Sequence, residues 1–160
     1  MGKLRFDGYD IVLQEVPDEI SLALNVTECP HHCVGCHSAY LSESYGEYVS
    51  GKLPELLKQY QGLISCVCFM GGDQHINDFM QQCQFIKHNC PELKIAVYTG
   101  SDNIHIFDSC FEYLDYIKIG PYDKQFGGLN DPNTNQRMYK KDRNEWIDIT
   151  YRFYKHHHET

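Results

Sequence analysis

Basic residues are scarce: 14 Lys and Arg stand against 22 Asp and Glu, a formal net charge of −8 over 160 residues. A surface that tracks phosphates would have to be built against that field, so nucleic acid is not expected as a partner. Long apolar runs are missing as well. No stretch approaches the length that spans a bilayer, and Lys3, Arg5, Asp7 and Asp10 stand where a secretory leader would be apolar. The expectation is a cytoplasmic protein with no membrane association. Phe6 occupies the place where an N-myristoylation motif carries Ser or Thr, which removes that reading of Met1-Gly2. Internal repeats and low-complexity tracts are also lacking, and a single domain over residues 1–160 is long enough to bury a core without covalent staples.

Cysteine is too sparse for a disulfide scaffold, with eight in the chain. Without an export signal these thiols are expected to stay reduced, which makes them candidate metal ligands. Aromatic residues make up 13% of the chain, 12 Tyr and 8 Phe among them, a content that suits a packed domain and argues against disorder.

Residues 11–16 are apolar-rich and end at Pro17, and residues 20–26 read Ile-Ser-Leu-Ala-Leu-Asn-Val with apolar side chains on alternate positions; both predict strands. From 27 to 50 the chain is crowded with Cys, His, Pro, Ser and Gly and predicts a functional loop. A short helix follows over 53–60. Residues 63–70 form a near-continuous apolar run stopped by Gly71-Gly72, the pattern of a strand buried on both faces in a parallel sheet. A helix over 76–88, a strand over 94–98 ending at Thr99-Gly100, a helix over 104–113 and a strand over 116–119 ending at Gly120-Pro121 continue the alternation. Such order predicts an α/β fold with ligand chemistry at the strand ends. Residues 123–139 read as a long polar loop, residues 146–154 as a final strand or helix, and His156 to His158 as a frayed tail.

The most informative stretch is Cys29-Pro30-His31-His32-Cys33-Val34-Gly35-Cys36-His37, three thiols at CxxxCxxC spacing directly after a predicted strand. Three thiolates on one loop can wrap an iron–sulfur cubane and leave its fourth iron without a protein ligand. Spacing alone leaves zinc open, because Cys33 and Cys36 form a knuckle that Cys66, Cys68 or a histidine could complete; that alternative describes a zinc-stabilised, non-catalytic binding module. Cys66 and Cys68 fall inside the apolar strand and read as packing residues on one face, as do Cys83, Cys90 and Cys110 elsewhere. His31, His32 and His37 read as loop or pocket-lining residues. Gly71-Gly72-Asp73 ends the next strand, where bare backbone lets a ligand approach and carbonyls can accept from an ammonium group.

The cysteine spacing, the Gly-Gly-Asp corner and Tyr98-Thr99-Gly100 together resemble the radical S-adenosylmethionine superfamily. The resemblance implies a partial, open β/α barrel of about five or six mostly parallel strands. It implies a 4Fe-4S cluster on Cys29, Cys33 and Cys36, and S-adenosylmethionine bound on the open iron with Gly71, Gly72, Asp73, Thr99 and Gly100 as its contacts. Reductive cleavage of that cosubstrate would give a carbon-centred radical, with no acid–base pair required.

Within the superfamily the chain is most similar to the activating proteins of anaerobic (class III) ribonucleoside-triphosphate reductases, from about residue 11 to 139. The agreement includes chain length, Gly35 before the third cysteine, Asp73 in place of Glu, and Asn135-Gln136-Arg137. The implied partners are that reductase, which would receive a glycyl radical, and a flavodoxin or ferredoxin-type electron donor; a different glycyl-radical enzyme is the alternative target. Two departures stand out. Glu15-Val16-Pro17-Asp18 replaces a Gly-Pro-Gly segment, and Ile119-Gly120 replaces Asp-Gly. Lys118 beside the latter can be read as replacing a polar contact or as simply reaching solvent, the second being the expectation, and Asn135-Gln136-Arg137 can be read either as contacts to cosubstrate or partner or as an ordinary polar loop.

Overall fold

In the computed structural model, which describes residues 2–27 and 46–154, the strands and helices run β1 (Arg5–Val12), β2 (Ser21–Val26), β3 (Glu47–Tyr48), α1 (Val49–Gln59), β4 (Cys66–Met70), α2 (Ile76–Asn89), β5 (Lys94–Tyr98), β6 (Tyr116–Ile119), β7 (Arg137–Asp142) and β8 (Glu145–Asp148). Among the described residues these eight strands make one sheet in the order β3-β1-β2-β4-β5-β6-β7-β8. The central β2, β4, β5 and β6 are parallel to one another, whereas β1 and β3 on one flank and β7 and β8 on the other are joined antiparallel. The sheet is thus wider and more mixed than the five or six mostly parallel strands expected. The parallel part lies where the alternating pattern put it, because each of its strands is an apolar run closed by a corner residue.

Strand alternation divides the core in two. Leu22, Leu24 and Val26, Val67 and Phe69, Ile95 and Val97, and Ile117 and Ile119 pack on the side that carries α1 and α2, with Leu53, Leu56, Phe79, Cys83 and Ile86 from the helices. The opposite face holds Ala23, Cys66, Cys68, Ala96, Tyr116 and Met138. No α-helix covers it among the described residues. It is closed instead by the connection between β1 and β2, which buries Val16 there, and by Ile149 and Phe153 near the end of the described chain. Tyr98 Oη donates to the Glu15 carbonyl, and Glu19 accepts from Tyr116 Oη (2.9 Å) and Ser65 Oγ (2.8 Å). Arg152 pairs with Asp18 at 2.7 Å, tying the two covering segments together.

Several expected boundaries move. The first strand covers Arg5–Val12 rather than 11–16, because Gly8 at φ +78 sits in a register shift between Phe6 and Tyr9 that erases the alternation a reader looks for. Val16 is buried in a turn closed by Glu19 N donating to its carbonyl. The helix expected over 104–113 is a 3-10 segment, Ile104–Cys110, kinked at Phe107. β7 occupies the end of the expected polar loop: Arg-Met-Tyr-Lys-Lys-Asp buries Met138 fully and leaves charged side chains outward, so composition hides it. β7 and β8 meet at Arg143 and Asn144, both at positive φ (52° and 65°), the backbone of a tight hairpin turn without glycine.

Phe79 of α2 joins helix to sheet, meeting Phe69 edge-on at 5.0 Å and Phe107 at 5.2 Å with no exposed surface of its own. Phe79→Ala is expected to cost about 3–5 kcal/mol in urea unfolding, the usual cost of emptying a large buried ring.

Candidate functional site

Because β2, β4, β5 and β6 are parallel, Thr27, Gly71, Thr99 and Gly120 all follow the same edge of the sheet. At the end of β4 the backbone of Gly71 has φ +122, and a Cβ there would come within 3.3 Å of Val26 Cβ. Gly72 is needed for a different reason: a Cβ would press on the Phe79 ring at 3.0 Å. Asp73 opens a 3-10 turn, Asp73–His75, and Gln74 within it donates to the Thr27 carbonyl at 2.5 Å. The Gly-Gly-Asp corner therefore rests against the residue from which the chain leaves β2 toward Cys29. Cys29, Cys33 and Cys36 themselves lie outside the described residues.

The next two corners are cross-linked. Thr99 N donates to the Lys118 carbonyl (2.9 Å), Thr99 Oγ1 accepts from Ser101 N (3.0 Å), and Gly120 N donates to the Ser101 carbonyl (2.6 Å). Lys118 does not reach solvent as expected. It is 8% exposed, its ammonium donates to the carbonyls of Thr99 (3.1 Å) and Gly120 (3.2 Å), and it lies 5.3 Å from the centre of the Tyr98 ring. The isoleucine beside it takes the helix side, so strand alternation turns Lys118 inward. Gln136 adds a bond to the Gly120 carbonyl (3.3 Å), and Asn135 donates to the Pro121 carbonyl (3.1 Å). Arg137, by contrast, faces Asp148 at 3.5 Å, so the Asn-Gln-Arg triplet does not act as a unit.

Strand register reveals a layer that the motifs do not. Asn25, Met70, Tyr98 and Lys118 are consecutive partners across β2, β4, β5 and β6, with Ala23, Cys68, Ala96 and Tyr116 as the layer beneath. The upper layer mixes polar and soft groups at the strand ends, whereas the lower one is apolar apart from its phenol. Asn25 shares its strand face with Ser21 and Ala23, and no motif in the sequence singles it out. Nor could Glu15 be found from the motifs, since it arrives from the connection that crosses this face. Its Oε2 and the Oε1 of Gln74 are buried without a hydrogen-bond partner among the described residues, two acceptors that suit donor groups of a ligand.

Burial pushes the Cys66 thiol up to about 12 and the Cys68 thiol well above the ordinary thiol range, with the neighbouring charges adding less. Both are fully buried on the helix-free face, as packing residues would be. Among the described residues no cluster of three or more His, Cys, Asp or Glu could hold a metal ion.

The parallel strand ends thus gather at the edge from which, after Thr27, the chain continues into the segment that carries Cys29, Cys33 and Cys36. The chain belongs to the 4Fe-4S single cluster domain family, whose profile matches residues 20–144 and so spans Cys29, Cys33 and Cys36. No curated protein and no solved structure shows significant similarity to it. Among the described residues no helix is long and apolar enough to cross a membrane.

Lys118→Met leaves the Thr99 and Gly120 carbonyls without their ammonium donor and is expected to lower stability by about 2 kcal/mol in urea unfolding. In alkylation with iodoacetamide at pH 8, Cys66 and Cys68 should react only on unfolding, and half-buried Cys90 should be modified first among the described thiols.

Proposed function

We propose that this chain is a radical S-adenosylmethionine activase that generates the glycyl radical of an anaerobic (class III) ribonucleoside-triphosphate reductase. The carrying observation is the hydrogen bond from Gln74 to the Thr27 carbonyl, with Gly71 against Val26, which ties the Gly-Gly-Asp corner to the end of β2, two residues before Cys29 in the sequence. Membership of the single-cluster family supports the iron–sulfur part of the reading. The donor set fits the group: three thiolates from Cys29, Cys33 and Cys36 leave one iron of a cubane to a ligand that is not protein.

A cluster held by Cys29, Cys33 and Cys36 and reduced by a flavodoxin or ferredoxin-type donor would supply the one electron for reductive cleavage of S-adenosylmethionine to methionine and 5'-deoxyadenosine, the hydrogen atom coming from a glycine α-carbon of the reductase, which would keep the glycyl radical. The residues of this chain bind and orient. Gly71 and Gly72 offer backbone carbonyls at a corner where no Cβ stands in the way, which suits the amino group of the cosubstrate. Lys118 holds the Thr99-Gly100 and Gly120 corners at a fixed separation, and Asn25, Met70 and Tyr98 wall the helix-free face beside them. Glu15 Oε2 and Gln74 Oε1 suit hydroxyl or amino donors of the same ligand. The open β/α barrel is the form this reading asks of the parallel strands, with the cosubstrate on the face that α1 and α2 leave uncovered.

The test is an optical and electron paramagnetic resonance spectrum of the anaerobically reconstituted protein, before and after dithionite and S-adenosylmethionine. A brown protein whose reduced signal changes on adding the cosubstrate, and which then forms 5'-deoxyadenosine and a glycyl radical on purified reductase, is expected. A colourless protein with stoichiometric zinc would sink the proposal. Replacing Cys29, Cys33 or Cys36 with Ala should abolish cluster and cleavage together, whereas Cys66→Ala should keep the full iron content.

A further inference from the structure

The two ends of the cysteine-bearing stretch converge on one residue, Arg5. Its carbonyl accepts from Thr27 N (2.8 Å) and Thr27 Oγ1 (3.3 Å), and its guanidinium donates through Nε (3.1 Å) and Nη2 (3.0 Å) to the Gly46 carbonyl. Thr27 and Gly46 are the described residues on either side of 28–45, the stretch that carries Cys29, Cys33 and Cys36. Strand register repeats the arrangement, since Phe6 pairs with Val26 on one side and with Glu47 on the other. The two ends are thus held two strand spacings apart, roughly 9.5 Å.

The exit end is built for this contact. Gly46 has φ +100, and a Cβ there would collide with the Phe6 carbonyl oxygen, so only glycine lets the chain come this close to β1. The Tyr48 ring lies 5.5 Å from the Arg5 guanidinium carbon and limits where that group can swing. At the entry end Gln74 adds its bond to the Thr27 carbonyl. Backbone pairing alone would seat β3 on β1. The forked guanidinium adds a directional hold that a single ammonium does not reproduce.

We propose that Arg5 is a positioning residue for the iron–sulfur cluster: it fixes the separation and direction of the two ends of the 28–45 stretch, so that three thiolates converge on one cubane. It touches no cluster atom, and it lies before the residues that the family profile matches. Fixing both ends of a loop narrows the geometries its middle can take, and supporting contacts of this kind set how firmly ligands hold a metal. The inference rests on the three-cysteine reading and is independent of what the cluster goes on to do.

The experiment compares wild type, Arg5→Ala, Arg5→Lys and the β1 control Asp10→Ala after anaerobic reconstitution. It reads iron and sulfide per chain, the rate of iron release to a ferrous chelator, and the resonance of the dithionite-reduced cluster. Arg5→Ala is expected to keep the wild-type far-ultraviolet circular dichroism, release iron about tenfold faster and give a broadened reduced signal. Arg5→Lys should fall between it and wild type, and Asp10→Ala should match wild type. Should Arg5→Ala fail to fold, Arg5→Lys decides by the same readouts. Arg5 variants with the wild-type release rate and line shape would overturn the positioning role while leaving the cluster assignment intact. A wild-type chain that takes up no iron would overturn the cysteine reading itself.

Discussion

Parallel alignment of β2, β4, β5 and β6 is the constraint on which the candidate site depends. Antiparallel neighbours would send alternate strand ends to opposite edges, whereas parallel ones deliver Thr27, Gly71, Thr99 and Gly120 to the same one. The alignment requires long crossovers, and the chain uses them in two ways. The connection from β4 to β5 is mostly α2, which covers one face of the sheet; the connection from β2 to β4 holds both the cysteine stretch and α1. The segment that carries Cys29, Cys33 and Cys36 is thereby part of the topology rather than an appendage to it. The antiparallel strands then anchor what the parallel ones leave open: β1 sits between β2 and β3 and clasps both ends of that crossover.

Confining the helices to one face has an energetic consequence for the other. The helix side is an aromatic and aliphatic core centred on Phe69, Phe79 and Phe107, and it carries most of the buried apolar surface. The helix-free side is thinner and includes groups that apolar packing alone would not choose, among them Asn25, Lys118 and the two tyrosines. Each of the three longer ones is paid for locally by hydrogen bonds: Lys118 to two carbonyls, Tyr98 to Glu15, Tyr116 to Glu19. Buried polar groups satisfied in this way fix a geometry more than they add stability.

How much of this was legible in the sequence differs by element. The parallel strands were, because Cys66–Met70 and Lys94–Tyr98 are short apolar runs bounded by Gly-containing corners, and both bounding motifs proved to stand at strand ends. β1 and β7 were not. Gly8 breaks the period of the first, and the second buries only Met138 fully among four charged residues, two of them half-buried, so its alternation does not show in composition. Gly-Gly-Asp was found by its composition, but its contact with Thr27 runs through Gln74, which carries no signal of its own in the sequence. Lys118 was misjudged for a plain reason: a lysine next to a turn is commonly solvated, and only the register with Tyr98 shows that it faces inward.

The same register sets which side chains the helix-free face can bury. Cys66, Cys68 and Met70 descend β4 on that side, and burial keeps the two thiols protonated far above neutral pH. Cys66 stands at the start of β4 and Cys68 at its middle, so both are enclosed between neighbouring strands as small hydrophobes. Had these positions been histidine or carboxylate, the apolar layer would have needed partners for each, and β4 would have lost the neutrality that lets it sit at the centre of the sheet. Cysteine is the one potential metal ligand that can be stored in a core as a small hydrophobe. In β4 the environment alone sets the chemistry of this residue type, holding both thiols inert between strands.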